Sequence, residues 1–138
     1  GCKAAAKVMK SKESIINVSS LAGKRGSSNN SAYVASKFGV NGLTQSLAKE
    51  LGPRNIRVNA VCPVLIATEG LIEALDMDYA PGKGDPKTFI SNFTKSNAAL
   101  LRMPTALEVG QTCVYLASDG ASAITGQCIN VDCGVLPQ

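Results

Sequence analysis

Residues 15–63 read IINVSSLAGKRGSSNNSAYVASKFGVNGLTQSLAKELGPRNIRVNAVCP, and this stretch decides the fold. It opens on Ile15-Ile16-Asn17-Val18, a short β-branched apolar run of the kind that forms a buried strand. Residues 19–30 are rich in Ser, Gly and Asn and predict a loop. Over residues 31–51, Val34, Phe38, Leu43, Leu47 and Leu51 recur near a period of about 3.6, which predicts an amphipathic helix with Ser31 as its N-cap. Gly52 and Pro53 stop it, Gly for the C-terminal turn and Pro just beyond. The run I-R-V-N-A-V-C over residues 56–62 predicts a second strand, closed by Pro63.

The flanks continue the alternation. Residues 3–10 read as the tail of a helix, whose lysines suit a C-terminal end. Residues 64–104 are irregular. Within them a short helix is expected over 68–75 and a turn over 81–84. A further helix is expected with Asp85 as N-cap and Pro86 as first residue, reaching about Asn97. A segment of this length is more than a connector needs and reads as a substrate lid. Thr105 and Glu108 form a capping box for a helix that runs to about Ser118, where Asp119-Gly120 ends it. A turn over 124–126 leads to a third strand, 128–131, ended by Asp132-Cys133-Gly134. The fold class is therefore α/β, a parallel sheet of about three strands covered by helices, with residues 1–138 as one partial domain. Three strands make a thin sheet with a bare edge. That edge, and a first residue that is Gly and not Met, predict that the chain comes from inside a longer reading frame.

Composition narrows the function. Hydrophobic residues at 45% and charged residues at 17% are those of a globular domain and exclude a disordered one. Thirteen glycines against three Phe, three Tyr and no Trp suit a parallel sheet under helices. The net charge of +4 serves solubility. Residues 1–68 hold ten Lys/Arg and two acids, but a nucleic-acid site would interleave stacking aromatics, and only Tyr33 and Phe38 are there. No nucleic-acid partner is expected. Five cysteines without a C-x-x-C pair, in a chain without histidine, predict no metal site and a reducing, cytoplasmic location. Cys62 and Cys128 sit in apolar runs and read as buried thiols. No stretch has membrane-spanning length and no secretory signal is present, so no membrane partner is expected.

Tyr33 and Lys37 lie four residues apart on the long helix, which puts both on one face. A phenol is a poor base at neutral pH, and a nearby ammonium favours its phenolate form. Such a pair lets a phenol exchange protons near neutrality, although two such residues also suit an ordinary surface. Ser20 lies 13 residues before Tyr33, just after the first strand, at the end of a parallel strand where such sheets hold ligands. A hydroxyl there can donate to a substrate oxygen while Tyr33 delivers the proton. Ser19 is the competing choice, and either serine also serves as a turn former.

Five segments, in order along the chain, resemble the short-chain dehydrogenase/reductase family. They are I-I-N-V-S-S-L-A-G at 15–23, Tyr33-Val-Ala-Ser-Lys37, N-I-R-V-N-A-V-C-P at 55–63, Pro63-x-x-Ile66-x-Thr68, and Ile124-Thr-Gly-Gln127 with Val131-Asp132. The likeness is to 3-oxoacyl-carrier-protein reductases and to sugar and polyol dehydrogenases. It implies the C-terminal part of a doubly wound, Rossmann-like sheet, in a homodimer or homotetramer. It implies reversible hydride transfer between NAD or NADP and a small-molecule carbonyl or alcohol. Ser20 would polarise the carbonyl. Tyr33 would be the acid in reduction and the base in oxidation. Lys37 would favour the phenolate and bind the nicotinamide ribose. Pro63, Val64, Ile66 and Thr68, with Tyr33 and Lys37, would contact the nicotinamide end of the cofactor, and the lid would cover the substrate.

The chain departs from the family pattern at several points. The Gly-rich phosphate turn is absent, and Gly82-Lys83-Gly84 follows no strand. The residue that selects NAD over NADP and the Asn-Ala-Gly motif with the tetrad asparagine are absent as well. Val64 stands where Gly is usual, which suggests a tighter or altered nicotinamide pocket, and Cys133 stands where a second Gly is usual. The leading expectation is the catalytic half of a dehydrogenase, inactive when isolated. The alternatives are a non-catalytic interaction module that packs through helix 31–51, and an epimerase or dehydratase. Polyols, sugars, steroids and acyl thioesters all remain open as substrates.

Overall fold

The computed structural model describes residues 1–137. The chain runs α1 (Cys2–Val8), β1 (Ser14–Val18), α2 (Ser31–Leu51), β2 (Arg57–Pro63), α3 (Glu69–Asp76), α4 (Pro86–Asn97), α5 (Ala106–Ala117) and β3 (Cys128–Val131). Short 3-10 turns occupy Leu21–Gly23, Gly52–Arg54 and Asp119–Ala121. The three strands are parallel, in the order β1-β2-β3. Val18 lies opposite Val61, and Cys62 opposite Asn130.

Helices cover both faces, which is why the central strand β2 is almost continuously apolar and buried. On one face Ala48 and Leu51 of α2 meet Ile56 and Val58, with Ala6 and Met9 from the α1 end beside them. On the other, Leu116 of α5 packs on Val61 and Ala121, flanked by Ile16 and Ile129. A third cluster (Leu21, Cys62, Val64, Ala98 and Val135) closes the C-terminal end of the strands.

Two of the motif segments hold each other. Asn59 lies fully buried in the middle of β2. Its amide donates to the Ile124 carbonyl at 2.8 Å, and its carbonyl accepts the Gln127 N–H at 3.0 Å. The Val58 N–H donates to the Thr125 hydroxyl, and the Gly126 N–H to the Val58 carbonyl. Gly126 has φ +73°, a conformation that favours glycine. Arg57 donates to the carbonyls of Leu116 and Ser118 and so caps the C-terminus of α5. The Arg57-Val58-Asn59 and Ile124–Gln127 segments are thus the two halves of one clamp.

Four local expectations are corrected. The N-cap of α2 is Asn30, not Ser31, and it makes no side-chain capping bond. The apolar period marks the inner face of α2 only in part: Leu51 is buried and Leu47 packs on the core, but Phe38 and Leu43 are 46% and 47% exposed, and Asn41, Thr44 and Ala48 face inward. The sheet beneath presents Asn17, whose amide donates to the Thr44 hydroxyl at 3.0 Å, so small and polar side chains fit there. Gly52 stays right-handed and begins a 3-10 turn containing Pro53; Asn55 takes the left-handed position at φ +57°. Of the two thiols expected to be buried, Cys62 is fully so and Cys128, on the outer strand β3, only partly.

Within residues 64–104, α3 begins at the Thr68 cap and α4 at the Asp85 cap with Pro86 in its first turn. Asp76 accepts the Gly84 N–H at 2.8 Å and pins the connecting turn. Phe93 anchors α4 on the cluster at the strand ends. The capping box of α5 is present, and Arg102 grips Glu108 through two bonds of 2.9 and 2.7 Å. Among the described residues no helix is long and apolar enough to cross a membrane.

Candidate functional site

Because the strands are parallel, Ser19-Ser20, Val64 to Thr68 and Asp132 to Gly134 all leave the same edge of the sheet. The two serines separate cleanly. Ser19 is buried, its N–H bonded to the Val61 carbonyl at 2.8 Å and its hydroxyl donating to the Lys37 carbonyl at 3.3 Å. Ser20 is half-buried and heads the Leu21–Gly23 turn, where its oxygen accepts the Ala22 N–H at 3.1 Å. Accepting that bond leaves the hydroxyl proton of Ser20 to donate elsewhere.

Tyr33 and Lys37 stand on the first two turns of α2. The Lys37 ammonium lies 5.5 Å from the centroid of the Tyr33 ring, within the range of a cation–π contact. It also donates to the Val18 carbonyl at 3.1 Å. Tyr33 is 46% exposed. The structure thus sets an ammonium against a solvent-accessible phenol at the end of β1, with the Ser20 turn packed against the same helix.

The segment after β2 divides in two. Val64 turns its side chain into the apolar cluster, against the element that follows Ser20, and is 8% exposed. Pro63 and Ile66 are half-buried and Thr68 is exposed. The Thr68 hydroxyl accepts the Leu71 N–H at 3.2 Å, and its own N–H donates to the Ile66 carbonyl at 2.7 Å. After β3, Asp132 accepts the N–H groups of Gly134 at 3.0 Å and Leu136 at 2.8 Å, and so folds the following residues back on the strand ends. Cys133 sits at φ +53°, the left-handed region that favours the usual glycine.

Apolar periodicity misses the residues that hold these segments together. Gly23 approaches α2 so closely that a Cβ there would lie 2.7 Å from the Lys37 carbonyl oxygen. Asn41, one turn beyond Lys37, donates to the Gly23 carbonyl at 2.9 Å. A polar residue four positions after Lys37 was the available signal. Burial pushes the Cys62 thiol up, against weaker opposing effects of Lys24, Ser19 and Asn41, which keeps it a protonated core thiol.

The family model described as Enoyl-(Acyl carrier protein) reductase matches residues 1–136. A short-chain dehydrogenase/reductase of Botryotinia fuckeliana is 38% identical over 135 residues, 96% of this chain and 49% of that protein. The 3-oxoacyl-[acyl-carrier-protein] reductase of Thermotoga maritima is 42% identical over 123 residues, 89% of this chain and 45% of that protein. The chain spans about half the length of the curated relatives it matches. A solved short-chain glucose/ribitol dehydrogenase from Brucella melitensis superposes with a TM-score of 0.84 at 31% identity, covering 99% of this chain and 51% of that one. Two other similar structures hold cofactors. A 4-hydroxyisoleucine dehydrogenase holds NADH (TM-score 0.73, 32% identity, 97% of this chain and 50% of that one). An actinorhodin polyketide ketoreductase variant holds NADPH (TM-score 0.79, 32% identity, 88% and 46%).

Proposed function

Because the chain belongs to the short-chain dehydrogenase/reductase family, we propose that it is the catalytic half of a nicotinamide-dependent oxidoreductase that interconverts a carbonyl and an alcohol. The observation that carries this reading is the Lys37 ammonium held against an exposed Tyr33 at the C-terminal edge of the sheet, beside the Ser20 turn.

The donor set fits the nicotinamide end of NAD or NADP. The Lys37 ammonium suits ribose hydroxyls. The Thr68 hydroxyl keeps a proton to donate after accepting from Leu71, and the backbone of residues 63–66 borders the same edge. Val64 keeps its side chain in the core, so it presents mainly backbone there. When bound, the nicotinamide supplies or accepts the hydride. The remaining events belong to the chain's own side chains. Ser20 donates its hydroxyl to the substrate oxygen and gathers charge on it. Tyr33 gives its phenolic proton to that oxygen in reduction and takes it back in oxidation. Lys37 stabilises the phenolate left behind. Residues 64–104, with α3 and α4, close over the substrate.

Relatives named for 3-oxoacyl and polyketide substrates point to a β-keto carbonyl as the first to try. Turnover is measured in the complete enzyme, with NADH or NADPH and a β-keto ester. Tyr33→Phe in that enzyme should abolish it while cofactor fluorescence still reports binding; full activity in that variant would remove Tyr33 from the reaction. The exposed Phe38 and Leu43 favour a second reading, an interaction module that associates through α2. That reading predicts self-association without any change in NADH or NADPH fluorescence.

A further inference from the structure

We propose that Asn41 is a positioning residue that fixes the Ser20 hydroxyl relative to the Tyr33–Lys37 pair. This rests on the reading of those three residues as the reaction centre. Asn41 is 8% exposed, and its side chain spans three segments. It belongs to α2, one turn after Lys37 and two turns after Tyr33, on the buried stripe of that helix. Its amide donates to the Gly23 carbonyl at 2.9 Å, at the end of the turn that Ser20 heads. Its carbonyl accepts the Cys62 thiol proton at 3.8 Å, one residue before Pro63 begins the segment that carries Ile66 and Thr68.

The Ser20 turn packs against α2 and is bonded to it at both ends. The Ser19 hydroxyl bonds the Lys37 carbonyl at the near end of the turn, and Asn41 bonds Gly23 at the far end. Between these two bonds the backbones approach so closely that Gly23 has no room for a Cβ. Leu21, buried in the cluster at the strand ends, holds the middle of the turn, and the two hydrogen bonds set its orientation about that point; loss of one lets the Gly23 end shift. Removal of the Asn41 amide leaves the buried Gly23 carbonyl without its donor, and the turn rotates outward to find water. Ser20 moves with it, while Tyr33 and Lys37 stay on the helix. A shift of about 1 Å at a reacting group is enough to cost about a hundredfold in rate.

The test has two arms, both on Asn41→Leu, with Asn41→Ala as the variant that leaves room for water if the first does not fold. In hydrogen exchange, the Gly23 and Lys24 amides, which bond the Ser20 and Leu21 carbonyls, should exchange at least tenfold faster. The Ala60 amide, in the middle of β2, should be unchanged. Unchanged exchange at Gly23 and Lys24, or an equal rise at Ala60, overturns the proposal. In the complete enzyme, with NADPH and ethyl acetoacetate, kcat should fall at least tenfold at constant KM for NADPH, and the fall should vanish in a Ser20→Ala background. An equal fall in both backgrounds means that Asn41 does not act through Ser20, and overturns the proposal. Full turnover in Tyr33→Phe would refute the underlying reaction centre instead, and the exchange arm would still decide whether Asn41 places the turn.

Discussion

Gly23→Ala is the sharpest test of the close approach between the Ser20 turn and α2. An alanine Cβ would fall 2.7 Å from both the Asn41 amide nitrogen and the Lys37 carbonyl oxygen, and 2.9 Å from the Ser19 hydroxyl. Ordinary contact begins near 3.4 Å, so the turn must retreat by several tenths of an ångström. The Lys37 oxygen is helix backbone and cannot yield alone. Overpacking of this kind costs about 1–3 kcal/mol. The retreat also stretches the Asn41–Gly23 bond, and a stranded buried carbonyl adds about 1–3 kcal/mol. A total near ~3 kcal/mol, with a urea slope of ~2 kcal/mol per molar, lowers the unfolding midpoint by about 1.5 M. Equilibrium urea unfolding followed by circular dichroism measures this. Gly26→Ala is the control, since nothing lies within 4 Å of its added Cβ, and it should stay within about 0.5 kcal/mol of the parent. Truncating Asn41 should not rescue Gly23→Ala, because the Lys37 oxygen remains in place. A Gly23→Ala protein as stable as the Gly26→Ala control would refute the reasoning.

The remaining expectations concern the clamp, the end of β3 and the lid boundary. Asn59→Leu strands the Ile124 carbonyl and the Gln127 N–H in the interior and should cost about 2–4 kcal/mol in the same unfolding assay; a loss below 1 kcal/mol would mean that the turn finds other partners. At position 133, with φ +53°, Cys133→Gly should be more stable than Cys133→Ala by about 1 kcal/mol, and the reverse order would argue against a left-handed backbone there. The bonds from Arg102, then those from Thr105, hold the Glu108 carboxyl down to about 2 from an ordinary 4.5. The contact therefore stabilises the fold fully above about pH 4.5 and loses that contribution as pH falls toward 2. A carboxyl-carbon NMR titration of Glu108 should show the low midpoint, and in Arg102→Ala it should return toward 4.5; an ordinary midpoint in the parent contradicts the geometry.

Most elements were legible because their signals are local. The capping box at Thr105–Glu108 and the Asp85-Pro86 start of α4 appear where sequence alone predicts them, since a helix start is decided by groups within one turn. The alternation of strands and helices likewise carried the parallel sheet. The inner face of α2 was not legible. A count of apolar residues selects Phe38 and Leu43, yet both lie outward. The middle of the inner stripe, Asn41 and Thr44, is polar because it meets Asn17 and the Gly23 carbonyl, and only the folded chain brings those groups under the helix. For the candidate site, the placement of Tyr33 and Lys37 on one helix and of Ser20 after β1 was legible from spacing. The difference between Ser19 and Ser20 was not, because it turns on which hydroxyl proton is already engaged.

The placement of Lys37 follows from the strand it touches. The Ser19 N–H points toward β2, where it bonds Val61, so the Val18 carbonyl points to the opposite side, along the bare edge of β1. The Lys37 ammonium occupies that carbonyl. A carbonyl oxygen has two lone pairs, so a further strand paired along this edge would not have to displace the lysine. The ammonium is tied to the end of β1 by a backbone group that exists whether or not a cofactor is bound. Tyr33, one turn earlier on the same helix, is thereby held at the C-terminal edge of the sheet. The charge beside Tyr33 is positioned by the fold itself, which is the arrangement that needs least reorganisation in the proton transfer proposed for that phenol.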